Sequence, residues 1–359
     1  MKMHKHLLYV ILYLILLLSI ILTLTSGETE FIQVWKDALA QLSGSSSYWN
    51  PLLDERLPRL IVLLCTGASL AVAGTVTQAL FQNPLASPGV LGIPAGGSLL
   101  VVIIFICELH YHYPYAIPIA AFIGCLGTLL VVYSLSRRKG YVELTHMVLT
   151  GIAVSTLIVT IQSSIIYAFR DRWHIIQTLT EWEAGSTSDR SWMHVHLQLP
   201  LTLFGLSSCW LYSKEINIMA FGEEEAKNLG VEVDKIRWRL FLSISLLISG
   251  AVAAVGNIAF FGLLLPHLIR RFAGPNNQQL IPLAILGGGA ILTAMDVGLR
   301  FFSLQAFSIG NISGIMGGIF FLCILMGSRY RHALFRKGDY ACMLPLAFIL
   351  AANLQEINA

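Results

Sequence analysis

Long apolar stretches alternate with short polar connectors along most of the chain. Apolar runs recur near residues 7–24, 57–81, 91–107, 114–135, 142–168, 197–213, 237–256, 258–272, 280–299 and 312–328. A helix that crosses the hydrocarbon layer needs roughly 20 mostly apolar residues. Backbone exposed to lipid must also satisfy its own hydrogen bonds, so repeated runs of this kind mean helices rather than loops. The pattern predicts an all-α, polytopic integral membrane protein with about ten transmembrane helices. Glycine and proline interrupt it at Pro84, Pro88, Pro94, Gly262 and Pro266, and the run 258–272 is short for a full crossing. Three connectors are long, 25–56, 169–196 and 214–236. The predicted organisation is a first span and loop (1–56), a core (57–336) carrying the connector 214–236, and a tail (337–359). Within that tail Cys342 to Ala352 is apolar but only about half a span long, which predicts an interfacial or partner-bound helix.

Composition sharpens this picture. Of 359 residues 56% are hydrophobic and 12% charged, against about 25% charged in a soluble domain. The first run, Leu7 to Leu24, is long for a signal peptide and lacks a small-x-small cleavage site, so it reads as a retained span. Charge position then sets orientation. With the N-terminus inside, only Lys36, Arg56, Arg59, Arg170, Arg172, Arg190 and Arg300 of the 23 basic residues fall outside. That bias predicts cytoplasmic N- and C-termini. A net charge of +3, dispersed along the chain, gives no basic patch for nucleic acid. Six cysteines without CxxC spacing indicate neither a zinc site nor a disulfide framework.

Several short motifs stand out. In Asn83-Pro-Leu-Ala-Ser-Pro88 two prolines remove amide donors and push the residues before them toward extended backbone. The helix breaks there, giving either a plain turn or a stiff re-entrant loop of the kind found near transport pathways. The connector 214–236 contains Glu-Glu-Glu-Ala-Lys-Asn-Leu at 223–229, a short helix with an acidic start and Gly230 at its end. It is either a solvated connector or a docking element. Asp296 is an acid within an apolar span, costly unless functional or paired, and Arg300 lies one turn away on the same face. His267 sits in an apolar segment and reads as a packing or hydrogen-bonding residue. His110/His112 and His194/His196 supply two potential ligands each, too few for a closed metal site. The runs Gly67 to Gly74 and Gly287-Gly-Gly-Ala290 suit close helix packing in lipid.

Four stretches taken together resemble the FecCD-type permease family of ABC importers, which serves iron-siderophore, haem and cobalamin uptake. They are Arg56-Leu-Pro-Arg59 with Gln78-Ala-Leu-Phe-Gln-Asn-Pro-Leu-Ala-Ser-Pro-Gly-Val-Leu-Gly92, Gly222-Glu-Glu-Glu-Ala-Lys-Asn-Leu-Gly230, Phe261-Gly-Leu-Leu-Leu-Pro-His-Leu-Ile-Arg270, and Asp296-Val-Gly-Leu-Arg300. The resemblance spans about residues 52–330. It implies that Gly222, Glu223, Glu224, Ala226, Leu229 and Gly230 form the helix that couples to an ATPase. It implies that Arg56, Arg59 and Arg300 receive acidic residues of a substrate-binding protein, with snorkelling at the headgroups as the plainer role. It also implies that Asn83 and Leu85, with Glu143 and Leu144, narrow a cytoplasmic exit. Implied partners are a cytoplasmic ABC ATPase dimer, a periplasmic or surface-tethered binding protein, a second copy of the permease and the lipid bilayer of a bacterial cytoplasmic membrane. No cofactor, bound metal or catalytic residue is implied. The chain departs from the family where Asn257 replaces a usual proline, and where Ser308 to Gly314 and Met316-Gly-Gly-Ile-Phe-Phe321 lack theirs.

Two other functions compete. An ion-coupled secondary transporter would need midplane carboxylates, and the spans offer little beyond Asp296. A membrane metalloenzyme would need several ligands on facing helices, which the ten histidines do not supply in pattern. The sequence also lacks any GxxxxGK[ST] phosphate loop, so ATP hydrolysis requires another chain.

Overall fold

A computed structural model describes residues 2–25, 31–43, 49–138, 141–302, 304 and 307–330. The chain begins with α1 (Lys2–Thr25), α2 (Phe31–Leu42) and a π-helical turn (Pro51–Arg56) that runs directly into α3 (Leu57–Leu80). A 3-10 turn (Pro88–Leu91) precedes α4 (Ile93–Ile106), followed by α5 (Leu109–His112) and α6 (Ala116–Leu135). A two-residue antiparallel hairpin, β1 (Arg137–Arg138) and β2 (Tyr141–Val142), leads to α7 (Leu144–Ala168), α8 (Trp173–Glu183) and α9 (Trp192–Leu211). The remainder is α10 (Ser213–Met219), α11 (Glu223–Asn228), α12 (Val233–Val255), α13 (Phe261–Ala273), α14 (Asn277–Phe301) and α15 (Ile309–Tyr330). Two compact units divide it, Met1–Gly317 and Gly318–Ala359. The apolar tail segment after Cys342 lies outside the described residues.

Each of the ten expected spans coincides with a helix. Six are long and apolar enough to cross a membrane by length and composition, while Ile93–Ile106 and Ile309–Cys323 are shorter apolar helices. The short run at 258–272 becomes the 13-residue α13, entered through Phe260 in the left-handed region (φ 61°). Stretches expected as loops also contain helices, the short α5 and α10 and the two longer ones α2 and α8. Phe31–Leu42 repeats apolar residues at helical spacing, and it buries Val34 and Ala38 against Leu52. Trp173–Glu183 buries Ile175, Leu179 and Trp182, spaced four and three apart. Both are amphipathic, so a reading tuned to uninterrupted apolar runs passes over them.

α3 is the central element. Its most apolar window is 89% buried, against 17% in α1 and 11% in α7. Lipid is as apolar as leucine, so association within it relies on close packing and interhelical hydrogen bonds. The glycine runs supply the first. A Cβ on Gly67 would overlap the carbonyl oxygen of Gly288 in α14, and one on Gly74 would overlap that of Gly262 in α13. Buried polar pairs supply the second, with Gln198 Nε2 donating to Thr66 Oγ1 (2.8 Å) and Ser69 bonded to Thr202 (3.1 Å) between α3 and α9. The mostly exposed α7 buries little of its apolar surface within this chain.

Candidate functional site

Polar side chains gather at both ends of α3. At its N-terminal end Asp296 is 1% exposed, with two hydrogen-bond donors and a second arginine in ion-pair contact. Its Oδ1 accepts from Arg59 Nη2 (2.7 Å) and Thr187 Oγ1 (2.5 Å), and its Oδ2 lies 3.0 Å from Arg300 Nη2. An ionised carboxylate removed from water is tolerated only when paired and hydrogen-bonded, which this arrangement achieves. The one-turn pairing with Arg300 is the one that the sequence spacing allowed. Arg59 and Thr187 come from distant parts of the chain, and nothing local to Asp296 announces them. Arg300 Nη2 also donates to Thr23 Oγ1 (3.2 Å). Arg56 is buried, and its Nη1 donates to the carbonyl of Leu24 (2.9 Å).

A fourth arginine, which sequence reasoning did not single out, joins this end. Arg190, in the connector between α8 and α9, has its Nη1 3.0 Å from His194 Nε2. Burial lowers its pKa to about 10, with Asp189 opposing the shift and Arg59 adding to it. The cluster therefore holds more positive charge than Asp296 neutralises, and Arg59 and Arg300 remain partly exposed (15% and 20%). Here too lie the turn holding Asn257 and the start of α15, where the family resemblance predicts prolines. Ser186 N donates to Val255 O (2.9 Å), Ser308 Oγ to Ala184 O (2.7 Å) and Ser313 Oγ to Ala259 O (2.7 Å). These bonds tie the turn holding Asn257 and the start of α15 to the end of α8.

At the other end of α3 the expected helix break is realised. Phe81 caps α3, Gln82 adopts φ 47°, and Asn83 Oδ1 accepts from Leu85 N (2.9 Å) in a local side-chain turn. Pro88 opens the 3-10 turn and Gly92, with φ 73°, starts α4. The loop is held from three directions. Gln78 Nε2 donates to Leu263 O of α13 (3.0 Å), Gln82 Nε2 donates to Met219 O of α10 (3.1 Å), and His267 turns its ring to the backbone of Pro84. His267 thus has the hydrogen-bonding role expected for it. α7 meets the same loop at Gly151, where a Cβ would overlap the carbonyl of Val90. At the start of α7 Glu143 pairs with His146 (3.2 Å), and Leu144 packs half-buried against the core.

The acidic connector forms α11. Gly222 has φ 127°, and Gly230 has φ 83° in open space, so each turn takes a backbone angle that favours glycine. Glu223 pairs with the buried Arg237 of α12, which fixes α11 to that helix. Ala226 is fully buried and faces inward, whereas Glu224 and Leu229 are exposed. Phe221 is 79% exposed beside Gly222 and was not among the residues singled out from the sequence. An aromatic residue directly before the glycine and glutamate run was the available signal. Sequence reasoning also passed over Glu183 of α8, whose Oε1 accepts from Ser98 of α4 and Gln162 of α7. Among the described residues no group of three His, Cys, Asp or Glu could hold a metal ion. His194 instead bonds Arg190 and caps its own helix, and His110 packs on Phe105 and Tyr111.

Comparison with known proteins bears on the fold and the family. The chain is 33% identical over 333 residues to the hemin transport system permease protein HmuU of Yersinia pestis, covering 89% of this chain and 96% of that one. It is 35% identical over 321 residues to the vitamin B12 import system permease protein BtuC of Vibrio vulnificus, covering 89% and 95%. A solved metal-chelate-type ABC transporter in an inward-facing conformation superposes with a TM-score of 0.78 at 25% identity, covering 90% of this chain and 99% of that one. The sequence profile of the FecCD transport family matches residues 11–327, and the chain belongs to that family.

Proposed function

We propose that this chain is the membrane-spanning subunit of an ATP-driven importer that carries an iron chelate, haem or a corrinoid into the cytoplasm, working as a homodimer. The observation that carries this reading is α11, a short helix pinned through Glu223 to Arg237 while Phe221 and Leu229 stay exposed. Exposed apolar side chains beside a rigid turn suit docking into a cleft of an ATPase subunit, which the chain itself lacks. Gly222, Glu223, Glu224, Ala226, Leu229 and Gly230 form the coupling element, with Ala226 as its inward anchor. The end of α3 near α11 is then cytoplasmic, and Asn83, Leu85, Glu143 and Leu144 border the exit. The opposite end faces outward, where Arg59 and Arg300, backed by Arg56, receive carboxylates of a binding protein. Charge complementarity there sets docking register and on-rate. The exposed face of α7 meets a second copy along the pathway, and nucleotide binding shifts the cavity between outward and inward access. The chain is a transport subunit, not itself an enzyme. Asp296, on which an ion-coupled alternative depends, is already neutralised by Arg59 and Arg300.

The test is uptake by proteoliposomes holding the complex with its ATPase and binding protein, offered radiolabelled ferric siderophore, haem or cobalamin. ATP-dependent accumulation of one cargo is expected, and it is lost in a folded Leu229→Asp, Gly222→Pro variant. Accumulation that needs no ATP and follows an imposed ion gradient overturns the proposal.

A further inference from the structure

Gln82 closes the C-terminal turn of α3, and its side chain has no role in the transport cycle proposed above. It is neither glycine nor asparagine, yet its backbone sits in the left-handed region at φ 47°. That conformation is common just past a helix C-terminus, where paired local hydrogen bonds close the last turn. The surroundings here are specific. Gln82 N is bonded to Ala79 O (3.2 Å), and the next residue, Asn83, returns its own N–H to Gln78 O (3.1 Å). The reversal turns the Gln82 side chain away from α3 and toward α10, where Nε2 meets Met219 O at 3.1 Å.

Met219 is the last residue of α10, and its carbonyl also accepts from Gly222 N (3.2 Å). One carbonyl oxygen thus receives Gly222, the residue from which α11 starts, and the side chain that opens the loop to Asn83 and Leu85. α10 is itself anchored to the start of α14, because Asn217 Oδ1 accepts from Asn277 N (2.8 Å) and Asn217 Nδ2 donates to Asn276 Oδ1 (2.9 Å). A displacement of α11 therefore reaches the loop at 81–92 by a route of two hydrogen bonds, with α10 held by α14 as the fulcrum.

We infer that Gln82 is a positioning residue that transmits motion of the coupling helix to the exit loop through its hydrogen bond to Met219. The inference rests on the proposed roles of α11 and the loop. It requires a donor at the tip of residue 82, because the partner is a carbonyl oxygen. Gln82→Glu keeps size and shape but presents only acceptors when ionised, so it repels that oxygen. Gln82→Lys restores a donor at similar reach.

The experiment uses the full permease with its co-expressed ATPase, with native cysteines replaced and Leu85→Cys introduced. The readout is the rate of labelling by a maleimide with nucleotide absent and with ATP trapped by vanadate. With Gln82 present, trapping is expected to change the labelling rate. With Gln82→Glu the change should shrink by about 2- to 10-fold, the span expected when one modest hydrogen bond no longer links two states. Gln82→Lys should retain the change, and basal ATP hydrolysis should persist in both variants. A Gln82→Glu protein that responds to trapping as the parent does overturns the inference. So does a Gln82→Lys protein that fails along with the Glu variant. The underlying reading fails separately, if Leu229→Asp, Gly222→Pro leaves the complex assembled and the labelling change intact.

Discussion

Replacing Asp296 with asparagine isolates the energetics of the arginine cluster. The substitution keeps volume and one acceptor, so Arg59 and Thr187 can still donate to Oδ1, but it removes the charge and turns an amide NH2 toward Arg300. Each guanidinium contacts the carboxylate at 2.7 or 3.0 Å. At an effective dielectric of about 20, charges roughly 4 Å apart attract by about 4 kcal/mol, and much of this offsets the cost of taking the groups out of water. Removing one member leaves two partly buried guanidiniums facing each other without compensation. Breaking a buried pair in this way costs about 3–5 kcal/mol. The assay is unfolding in mixed micelles by added dodecyl sulfate, followed by tryptophan fluorescence, with Arg300→Gln and the double variant completing a cycle. The expected coupling energy is about 1–3 kcal/mol, because the second substitution relieves the repulsion that the first creates. A loss below about 1 kcal/mol for Asp296→Asn, with additive single effects, refutes the argument that this carboxylate holds the cluster together.

Other outcomes follow from the packing and the titratable groups. Gly67→Ala places a methyl against the carbonyl oxygen of Gly288, a backbone atom that cannot rotate away, so a loss of about 1–3 kcal/mol or failure to assemble is expected. Gly298→Ala in the same partner helix meets nothing within 4 Å and should be neutral or mildly stabilising in the same unfolding assay. His110, in the short helix α5, is held below its usual pKa by burial, opposed by a hydrogen bond to Ile104 and by Glu108, and reinforced by His174. The folded chain therefore takes up this proton less readily than the unfolded chain, so the linked stability is full above about pH 6.5 and falls as pH drops through that value. Melting temperatures between pH 8 and pH 5 should decline less in His110→Phe than in the parent. An unchanged slope refutes the role given to this histidine.

The sequence by itself determined the membrane setting, the positions of the long apolar helices and the family. Those properties depend on local quantities, such as twenty apolar residues in a row, a proline pair that breaks a helix, or a run of glutamates closed by glycine. It also allowed the pairing of Asp296 with Arg300 as one of two readings, because four residues on a helix is one turn. Amphipathic helices at Phe31–Leu42 and Trp173–Glu183 were legible in principle, since their apolar residues keep helical spacing, but a search for continuous apolar runs overlooks them. Tertiary structure alone decided the rest. Arg59 and Thr187 reach Asp296 from 237 and 109 residues away, and no periodicity encodes such a meeting. That Ala226 faces inward while Phe221 and Leu229 face out depends on how α11 leans on α12 through Glu223 and Arg237. The bond from Gln82 to Met219 likewise arises only once α3 and α10 are packed side by side. The left-handed backbone at Gln82 is by contrast local, set by the turn that closes the end of α3 through Gln82 N to Ala79 O and Asn83 N to Gln78 O, whereas the side chain's partner 137 residues away is a product of packing.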